Sequence, residues 1–472
     1  MGGLGIMGTM EMARNAMQTA RQGAEIAGHN LANAANPIYA RQRIKIASAV
    51  AIPTDKGPQG SGSEVARLES IRDYAIDAAL VTEKSVTKYL EAKQRQLRRA
   101  EVALAQTLDR QSIDAGESYG SYGVAEGLSG LFNSFQSLSA NPTSTAERQT
   151  VSFNAQKLSD KMNIVDRRLS DLQLSINKEE DYEIDNVNAN IESVALLAAA
   201  VGNTEIVEGG ANEIRDAMQA ALEELSELVN ISTTTNEDGK LSLFVDGYAM
   251  VTDNAMTGSV KLYTDSNGMN FIADSRTGDV LTLQTGSVKA LIDVRDGAIK
   301  DLRDQLNILA SNLITEVNAL HQTGFDLSGN DDSSLTFFTG TNAGDIGVNS
   351  TITSDPRLLQ AAGTAEVGDN AVIRAMAEAG TTAISGLSNM TFSEPYGNTV
   401  SRFGQDMALT NTRLIDQQAV QTMLEKQRDS VQGVSIDEEV ANLIIYQRAF
   451  QASARMISTM DTLMNEILNM QR

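Results

Sequence analysis

The sequence contains no cysteine and only two histidines. Without cysteine the chain cannot form a disulfide bond, use a thiolate nucleophile or bind zinc through sulfur. No HExxH motif or EF-hand loop accompanies His29 or His321, so we interpret both as polar side chains rather than as bases or metal ligands. We therefore expect no metal ion and no other cofactor.

Long apolar runs and an excess of basic residues are also missing. The longest uninterrupted apolar run, Val194 to Val201, is far shorter than the ~20 residues of a membrane-spanning helix. The net charge is −23, whereas phosphate binding needs a basic face. We therefore expect neither membrane insertion nor a nucleic-acid partner. No Lys or Arg precedes Arg14, so the start lacks the basic region of a cleavable secretory signal.

The charge is unevenly distributed along the chain. Residues 1–110 contain 15 basic and 11 acidic side chains, so the net negative charge lies in the rest of the sequence. We interpret this excess as a solvated acidic surface, and the alternative is electrostatic matching between neighbouring subunits.

The strongest pattern lies in the last forty residues. Positions spaced alternately by four and three form one narrow, largely apolar seam, which is typical of a helix that needs a partner helix. The seam contains Ile436, Val440, Leu443, Gln447, Phe450, Ala454, Ile457, Asp461, Met464 and Leu468. A second row on the adjacent face contains Ile445, Ala449, Ala452, Met456, Leu463, Ile467 and Met470. Ser435 followed by Glu438 resembles a capping box, so we expect this helix to begin at Ile436.

The N-terminal end of the chain repeats the same spacing. Its seam contains Ile6, Met10, Ala13, Met17, Ala20, Ala24, Ala27 and Leu31. Neither helix can bury its stripe alone, and the small alanines permit a close approach, so we expect the two termini to pair. Everything between them is then an insertion into a pair of terminal helices.

The segment after the first helix changes character twice. Residues 41–52 alternate partly and are basic, and residues 53–63 are rich in Gly, Pro and Ser, which predicts a strand and then a loop. A long helical region begins near Ile71, and the Gly- and Ser-rich run from Gly116 to Gly130 is expected to end it.

Two further blocks fill the middle of the chain. Residues 131–230 have the pattern of a bundle of long helices, with a break around Gly202 to Gly210. Residues 236–289 contain short β-rich segments separated by turn dipeptides, which predicts a small antiparallel domain that projects from the helical body. Helical periodicity returns at Ala290.

The predicted fold is mainly α with a small β insert. Long terminal helices pair as a coiled coil, a helical bundle forms the centre, and an antiparallel β domain is inserted into it. The predicted divisions are 1–75 for the N-terminal helix and linker, 76–235 and 290–409 for the helical domain, 236–289 for the β insert, and 410–472 for the C-terminal coiled-coil helix.

Motifs that could indicate catalysis have simpler explanations. Gly3 to Gly8 reads GxGxxG, but no strand precedes it and no βαβ unit surrounds it. Asp437 to Glu439 lie in the first turn of the last helix, where acidic side chains favour the positive end of the helix dipole. No G-x-S-x-G elbow marks a serine nucleophile. We therefore expect no catalytic residue and no enzymatic activity.

Both ends of the chain resemble the flagellar rod, hook and hook-associated proteins. Residues 30–33 and 36–42 are similar to the rod-type signature N-x-A-N-x-x-T-P-G-Y-S-R-Q, with Asn36, Ile38 and Ala40 as departures. A β-branched residue after Pro37 disfavours positive φ, so we expect a type I turn or an extended path there. Residues 318–327 resemble the hook-associated protein 1 family and not rod or hook proteins. On these residues the chain is identified as a member of that family.

This resemblance implies a secreted structural protein of the flagellum that joins hook to filament. It implies as partners the hook protein, hook-associated protein 3, other copies in a ring and a cytoplasmic export chaperone, with type III export without signal cleavage. The alternatives are a rod or hook subunit, and a secreted adhesin or hydrolase with flagellar-type ends.

The resemblance also assigns an assembly interface to both ends of the chain. On the N-terminal side it comprises Ile6, Met10, Met17, Asn30, Leu31, Asn33, Pro37, Tyr39 and Arg41. On the C-terminal side it comprises Val440, Leu443, Tyr446, Gln447, Phe450, Arg455, Ile457, Met464 and Leu468.

Overall fold

The computed structural model describes residues 5–54, 57–104, 123–207, 210–264 and 269–470. The helices are α1 (Ile6–Ala32), α2 (Tyr74–Leu104), α3 (Val124–Ala140), α4 (Thr145–Val207), α5 (Asn212–Leu228), α6 (Ser287–Asp293), α7 (Lys300–His321), α8 (Ser350–Ser354), α9 (Ala371–Ala379), α10 (Glu394–Gln432) and α11 (Ile436–Met470). The terminal helices α1 and α11 pack along each other. The predicted fold, mainly helical with small antiparallel sheets and paired terminal helices, is confirmed.

The strands are short, and every pair of neighbouring strands in a sheet is antiparallel. They are β1 (Gln42–Ser48), β2 (Ile52–Thr54), β3 (Gly57–Gln59), β4 (Ser63–Ser70), β5 (Ile231–Thr235), β6 (Leu241–Val245), β7 (Tyr248–Thr252), β8 (Ala255–Met256), β9 (Val260–Thr264), β10 (Asn270–Asp274), β11 (Phe338–Thr339) and β12 (Gly347–Val348). None of the helices in the described ranges has the length and apolar character needed to cross a bilayer.

The segment between α1 and α2 is a long β-hairpin. β1 pairs with β4 and β2 pairs with β3. The predicted strand is therefore present as β1. The segment predicted as a loop includes β3, and β4, which follows that segment, is the partner of β1. The hairpin lies on α1: Asn15 Nδ2 donates to the Ser61 carbonyl at 3.3 Å and Thr19 Oγ1 donates to the Ser63 carbonyl at 3.2 Å.

One apolar core joins α3, the first half of α4, α7, α9 and the start of α10. α3 begins at Val124, so the prediction of a loop as far as Gly130 is wrong for residues 124–130. Residues 116–122 of the predicted loop lie outside the described residues. Val124, Leu128 and Leu131 are buried one helical turn apart, and this burial outweighs the low helix propensity of the glycines.

A second apolar core joins the second half of α4, α5, α6 and the strands β6, β7, β9 and β10. Leu243, Val251 and Ile272 pack there against Val187 and Leu225. The strands therefore share a core with three helices and do not project from the helical body as a separate domain. The β segment starts earlier than predicted, because β5 begins at Ile231 whereas the sequence pattern predicted a start at position 236.

The two cores meet at a buried ionic layer on α4. Arg295 and Glu180 are fully buried and form an ion pair, and Arg295 also donates to Asn177 Oδ1 at 3.1 Å and to the Asn270 carbonyl at 2.8 Å. Burial raises the pKa of Glu180 to about 7, although Arg295 opposes this shift. Arg295 lies in a π-helical stretch, residues 294–299, that connects α6 to α7.

Candidate functional site

The candidate site is the terminal helix pair together with the polar contacts that attach it to the body. On α1 the predicted seam faces α11, with Ala13, Ala20 and Ala27 buried. The larger seam residues are half-buried, and these are Ile6, Met10, Met17 and Leu31. The small buried alanines let the two backbones approach closely, as expected.

On α11 the structure brings only part of the predicted interface against α1. The half-buried members of the predicted set are Leu443, Tyr446, Ile457 and Met464. The exposed members are Val440, Gln447, Phe450, Arg455 and Leu468. The second apolar row, from Ile445 to Met470, is exposed at every position. α11 thus covers one side with α1 and leaves an adjacent apolar side open.

Tyr446 packs on Gly23 where the two helices approach closely. A Cβ atom at Gly23 would lie 2.5 Å from Tyr446 Cε1, which is too short for any real contact. The Tyr446 ring therefore packs directly on the α1 backbone. Sequence reasoning did not single out Gly23, although a glycine within an alanine-rich helical seam is a usable signal for close approach.

Asn30 is the centre of the polar contacts at the end of α1. Its Oδ1 accepts from Tyr39 Oη at 2.7 Å and from the Gln42 amide at 3.0 Å. Its Nδ2 donates to the Gln42 carbonyl at 2.8 Å and to Glu439 Oε2 at 3.2 Å. The Asn30 side chain thus joins the hairpin to α11. Asn33 does bond locally, through Nδ2 to the His29 carbonyl at 3.0 Å.

The turn around Pro37 follows the expected path. The Tyr39 amide donates to the Asn36 carbonyl at 3.2 Å, which closes a β-turn, and the Ile38 amide donates to Asn36 Oδ1 at 3.2 Å. The non-glycine residues with positive φ in the described chain do not include Ile38, so the prediction against a left-handed conformation there is confirmed. Pro37 is exposed, and the buried Tyr39 turns inward behind it.

Arg41 connects α10 and α11 to the segment that precedes α2. Its Nε donates to Glu439 Oε1 at 2.7 Å and its Nη1 donates to Glu438 Oε2 at 2.8 Å, both at the start of α11. Its amide donates to the Gln432 carbonyl at 3.0 Å, and its carbonyl accepts from the Ile71 amide at 2.8 Å. Burial opposes the charge, but the two carboxylates outweigh burial and raise the pKa of Arg41.

Glu438 and Glu439 therefore do more than complement the helix dipole. α11 begins at Ile436 as predicted, and the Glu438 amide lies 3.5 Å from Ser435 Oγ, but the Glu438 carboxylate bonds to Arg41 rather than completing the capping box. The sequence carries no local signal for these partners, because they are 397 and 398 residues away from Arg41.

A second set of ion pairs fixes the same loop to the body. Arg72 Nη2 lies 2.6 Å from Asp216 Oδ1, and Arg72 Nη1 lies 3.1 Å from Asp77 Oδ2. Asp216 Oδ2 accepts from the Ala40 amide at 3.3 Å, and Asp77 Oδ1 accepts from Gln432 Nε2 at 3.2 Å. Burial raises the pKa of both carboxyl groups despite the nearby Arg72.

The polar joint, defined as Asn30, Tyr39, Arg41, Gln42, Arg72, Asp77, Asp216, Gln432, Glu438 and Glu439, holds the helix pair against α2, α5 and α10. In the part of the chain that the structure describes, no group of three or more His, Asp or Glu side chains is placed to hold a metal ion. The arrangement is suited to fixing the direction of one rigid element relative to another.

Two family models match separate parts of the chain. The family model described as the flagellar hook-associated protein FlgK helical domain matches residues 111–338, and that of the flagellar basal body rod FlgEFG protein C-terminal matches residues 426–470. Flagellar hook-associated protein 1 of Bacillus subtilis strain 168 is 23% identical over 98% of this chain and 97% of its own. This chain belongs to the flagellar hook-associated protein 1 family.

Further members of the family align over the same length. Flagellar hook-associated protein 1 of Escherichia coli K12 is 21% identical, over 98% of both chains, and that of Salmonella typhimurium LT2 is 22% identical, over 97% of this chain. The solved flagellar hook junction protein FlgK from Burkholderia pseudomallei is 20% identical with a TM-score of 0.46, and the alignment covers 55% of this chain and 46% of that one.

The family matches also separate the two parts of the molecule. The hook-associated helical-domain match covers α3 to α7 and both apolar cores in large part, whereas the rod-type match covers the end of α10 and α11. The chain is a structural component of the bacterial flagellum. A rod or hook subunit is not favoured, and neither is an adhesin or hydrolase with borrowed ends, because the family likeness extends through the middle of the chain.

Proposed function

We propose that this chain forms the first junction ring between the flagellar hook and the filament and provides the template on which the filament assembles. The observation that carries this proposal is the open apolar side of α11, from Ile445 to Met470. A helix with one side on α1 and an apolar row beside it needs further helices to bury that row, and other copies supply them in a ring.

The polar joint gives this ring a defined geometry. Arg41 and Arg72 fix the helix pair to the body through carboxylates on α2, α5 and α11. The body is then held at one angle while the paired terminal helices line the inner tube with those of neighbouring copies. The hook protein contacts one side of the ring and hook-associated protein 3 the other.

The role is structural and not enzymatic, and it is performed outside the cell. The chain is exported through the flagellar type III apparatus without signal cleavage. A cytoplasmic chaperone covers the apolar row of α11 before export, since an exposed stripe of that length favours aggregation. The terminal helices become fully ordered when they assemble.

Complementation of cells that lack the gene tests the proposal. The Met456→Glu, Leu463→Glu double variant places two charges in the open row, and Thr462→Glu places one on the polar side of the same helix as a control. Electron microscopy should show finished hooks without filaments for the null strain and the double variant, with flagellin lost to the medium. The control should restore filaments.

Two other results would contradict the proposal. Absence of hooks in the null strain would place the chain in the rod or hook. Normal filaments in cells that carry the double variant would mean that the open side of α11 takes no part in assembly.

A further inference from the structure

The face of α4 that points away from the cores carries an unusual set of apolar side chains. Its large exposed members are Phe153 (66% exposed), Ile164 (43%), Leu174 (57%), Tyr182 (67%) and Leu196 (65%). At 100° per residue these five positions fall within about 80° of the helix circumference. The fully buried Met162, Ile176 and Val187 lie on the opposite side. α4 therefore has a second apolar stripe directly behind its core face.

This outer stripe runs along the helix axis. Successive members are separated by about eleven residues on average, which is three helical turns, so the stripe does not wind around the helix. From Phe153 to Leu196 it extends about 65 Å at 1.5 Å per residue. Isolated exposed apolar side chains are common on protein surfaces, so the row gains meaning only from the pattern of charges between its members.

The exposed charges on the same face change sign along the helix. The first half carries Lys157, Arg167 and Arg168 with Asp160, and the second half carries Asp181, Asp185 and Glu192 with Lys178. Asp171 lies near the middle. A face that is basic at one end and acidic at the other is complementary to a copy of itself turned end to end.

We propose that this outer face of α4 binds a second copy of the chain in an antiparallel, two-fold symmetric dimer. With the axis between Leu174 and Ser175, Phe153 lies opposite Leu196 of the other copy, and the two Leu174 side chains meet near the axis. This register is self-complementary, as expected of an isologous contact in which each copy uses the same surface.

The same register pairs the charges. Asp171 lies opposite Lys178 of the other copy at the centre of the face, and Lys157 and Arg168 lie at the same levels as Glu192 and Asp181, toward the edges of the contact. Arg167 lies over Tyr182, where a cation can stack on the ring. One position does not fit the register: the apolar Ile164 lies beside the charged Asp185 of the other copy. A parallel arrangement would instead place the basic halves together and the acidic halves together, which like-charge repulsion disfavours.

This contact is separate from the ring and does not rest on the proposed function. An antiparallel two-fold contact closes on itself, whereas a ring needs a head-to-tail contact that repeats around an axis. The dimer is therefore a form of the unassembled chain, and it can be tested without flagella.

Sedimentation velocity of the full chain over a concentration series is the first test. The sedimentation coefficient should rise with concentration, and the rise should weaken in high salt. Leu174→Glu should weaken dimerisation by about tenfold or more, because it places two charges at the centre of the contact. Val367→Glu, at an 85% exposed position outside α4, is the matched control. A monomer at every concentration, or a dimer that tolerates Leu174→Glu, would overturn the proposal.

Charge exchange tests the register. Asp171→Lys and Lys178→Asp should each weaken the dimer, and the double variant should restore it. Positions 171 and 178 are about 10 Å apart along one helix, too far for an ion pair within one copy, so restoration requires two copies. If the double variant is weaker than either single variant, the register is wrong.

Cysteine cross-linking tests the direction, because the chain has no cysteine of its own. A mixture of Phe153→Cys and Leu196→Cys should form a disulfide-linked dimer on mild oxidation, whereas Phe153→Cys alone should not. Cross-linking of Phe153→Cys to itself would show a parallel contact and refute the antiparallel dimer. Far-UV circular dichroism confirms that each variant is folded.

Discussion

Arg41 and Glu439 are 398 residues apart in the sequence and form an ion pair in which Arg41 Nη2 lies 2.6 Å from Glu439 Oε1. The Glu439 side chain is only 3% exposed, and Asn30 Nδ2 contacts its other oxygen. The end of α1, the loop after it and the start of α11 are therefore joined through one carboxylate. Its removal should release the terminal helix pair more than it disturbs the body.

Glu439→Gln should destabilise the attachment of α11 by about 1–3 kcal/mol, because it leaves a partly buried guanidinium with a weaker partner. Hydrogen exchange of the α1 and α11 amides is the measurement, and protection should fall there while the two cores keep theirs. Glu438→Gln is the control. The Glu438 side chain is 63% exposed, so this variant should lower the free energy of unfolding by less than about 1 kcal/mol. Equal effects of the two variants would contradict the assigned importance of Glu439.

Gly23→Ala should separate the terminal helices, because the new methyl group would overlap the Tyr446 ring. We expect a loss of about 1–3 kcal/mol from overpacking, measured as earlier melting of the helix pair or faster proteolysis of α11. Gly28→Ala is the matched control in the same helix, since a Cβ atom added there would meet no atom within 4 Å beyond the adjoining turns of its own helix, and it should stabilise α1 by about 0.5–1 kcal/mol. Tyr446→Ala in the Gly23→Ala background should cause little further loss if the overlap is the cause.

His321 should make the stability of the body depend on pH. The Gln360 amide donates to Nε2 at 3.0 Å and Nδ1 lies 3.0 Å from the Leu335 carbonyl, so the ring is neutral with its proton on Nδ1. Burial lowers the pKa of His321 from 6.5 to about 4. His321 therefore binds a proton more readily in the unfolded chain than in the folded chain. Its full contribution to the free energy of unfolding is present above about pH 6.5 and is lost as the pH drops toward 4.

The free energy of unfolding should fall by about 3 kcal/mol near pH 4 through protonation of His321, measured by urea unfolding at several pH values. Glu180 contributes with the opposite sign, because its pKa is raised to about 7 and its folded form favours the proton. The difference between the native chain and His321→Gln is therefore the informative quantity. If the two chains show the same slope between pH 6.5 and 4, His321 is not the group responsible.

Deletion of residues 435–472 should abolish incorporation into the flagellum and leave the body folded. Neither apolar core contains a residue of α11, so the truncated chain keeps all the packing that stabilises α2 to α10. Calorimetry should show a cooperative transition for the body close to that of the full chain. Loss of cooperative melting in the truncated chain would contradict the independence of the body.

The sequence by itself determined the features that depend on local spacing and local caps. The four-and-three spacing of α1 and α11, with alanines on the α1 seam, was enough to predict that the termini pair. Ser435 before Ile436 was enough to place the start of α11, and the β-branched Ile38 was enough to exclude a left-handed turn. Each of these predictions rests on a pattern of side chains within one or two helical turns of one another along the chain.

Only the tertiary structure decided the partners of the polar joint and the side of α11 that stays open. Asn30 could have closed its own turn, but burial beside Tyr39 and Glu439 gives its amide four partners at once. Val124 to Leu131 could have been a loop, but the packing of α3 on α4 makes it helical. The physical reason is the same throughout: burial and charge pairing between different elements of the fold outweigh local preferences of about 1 kcal/mol.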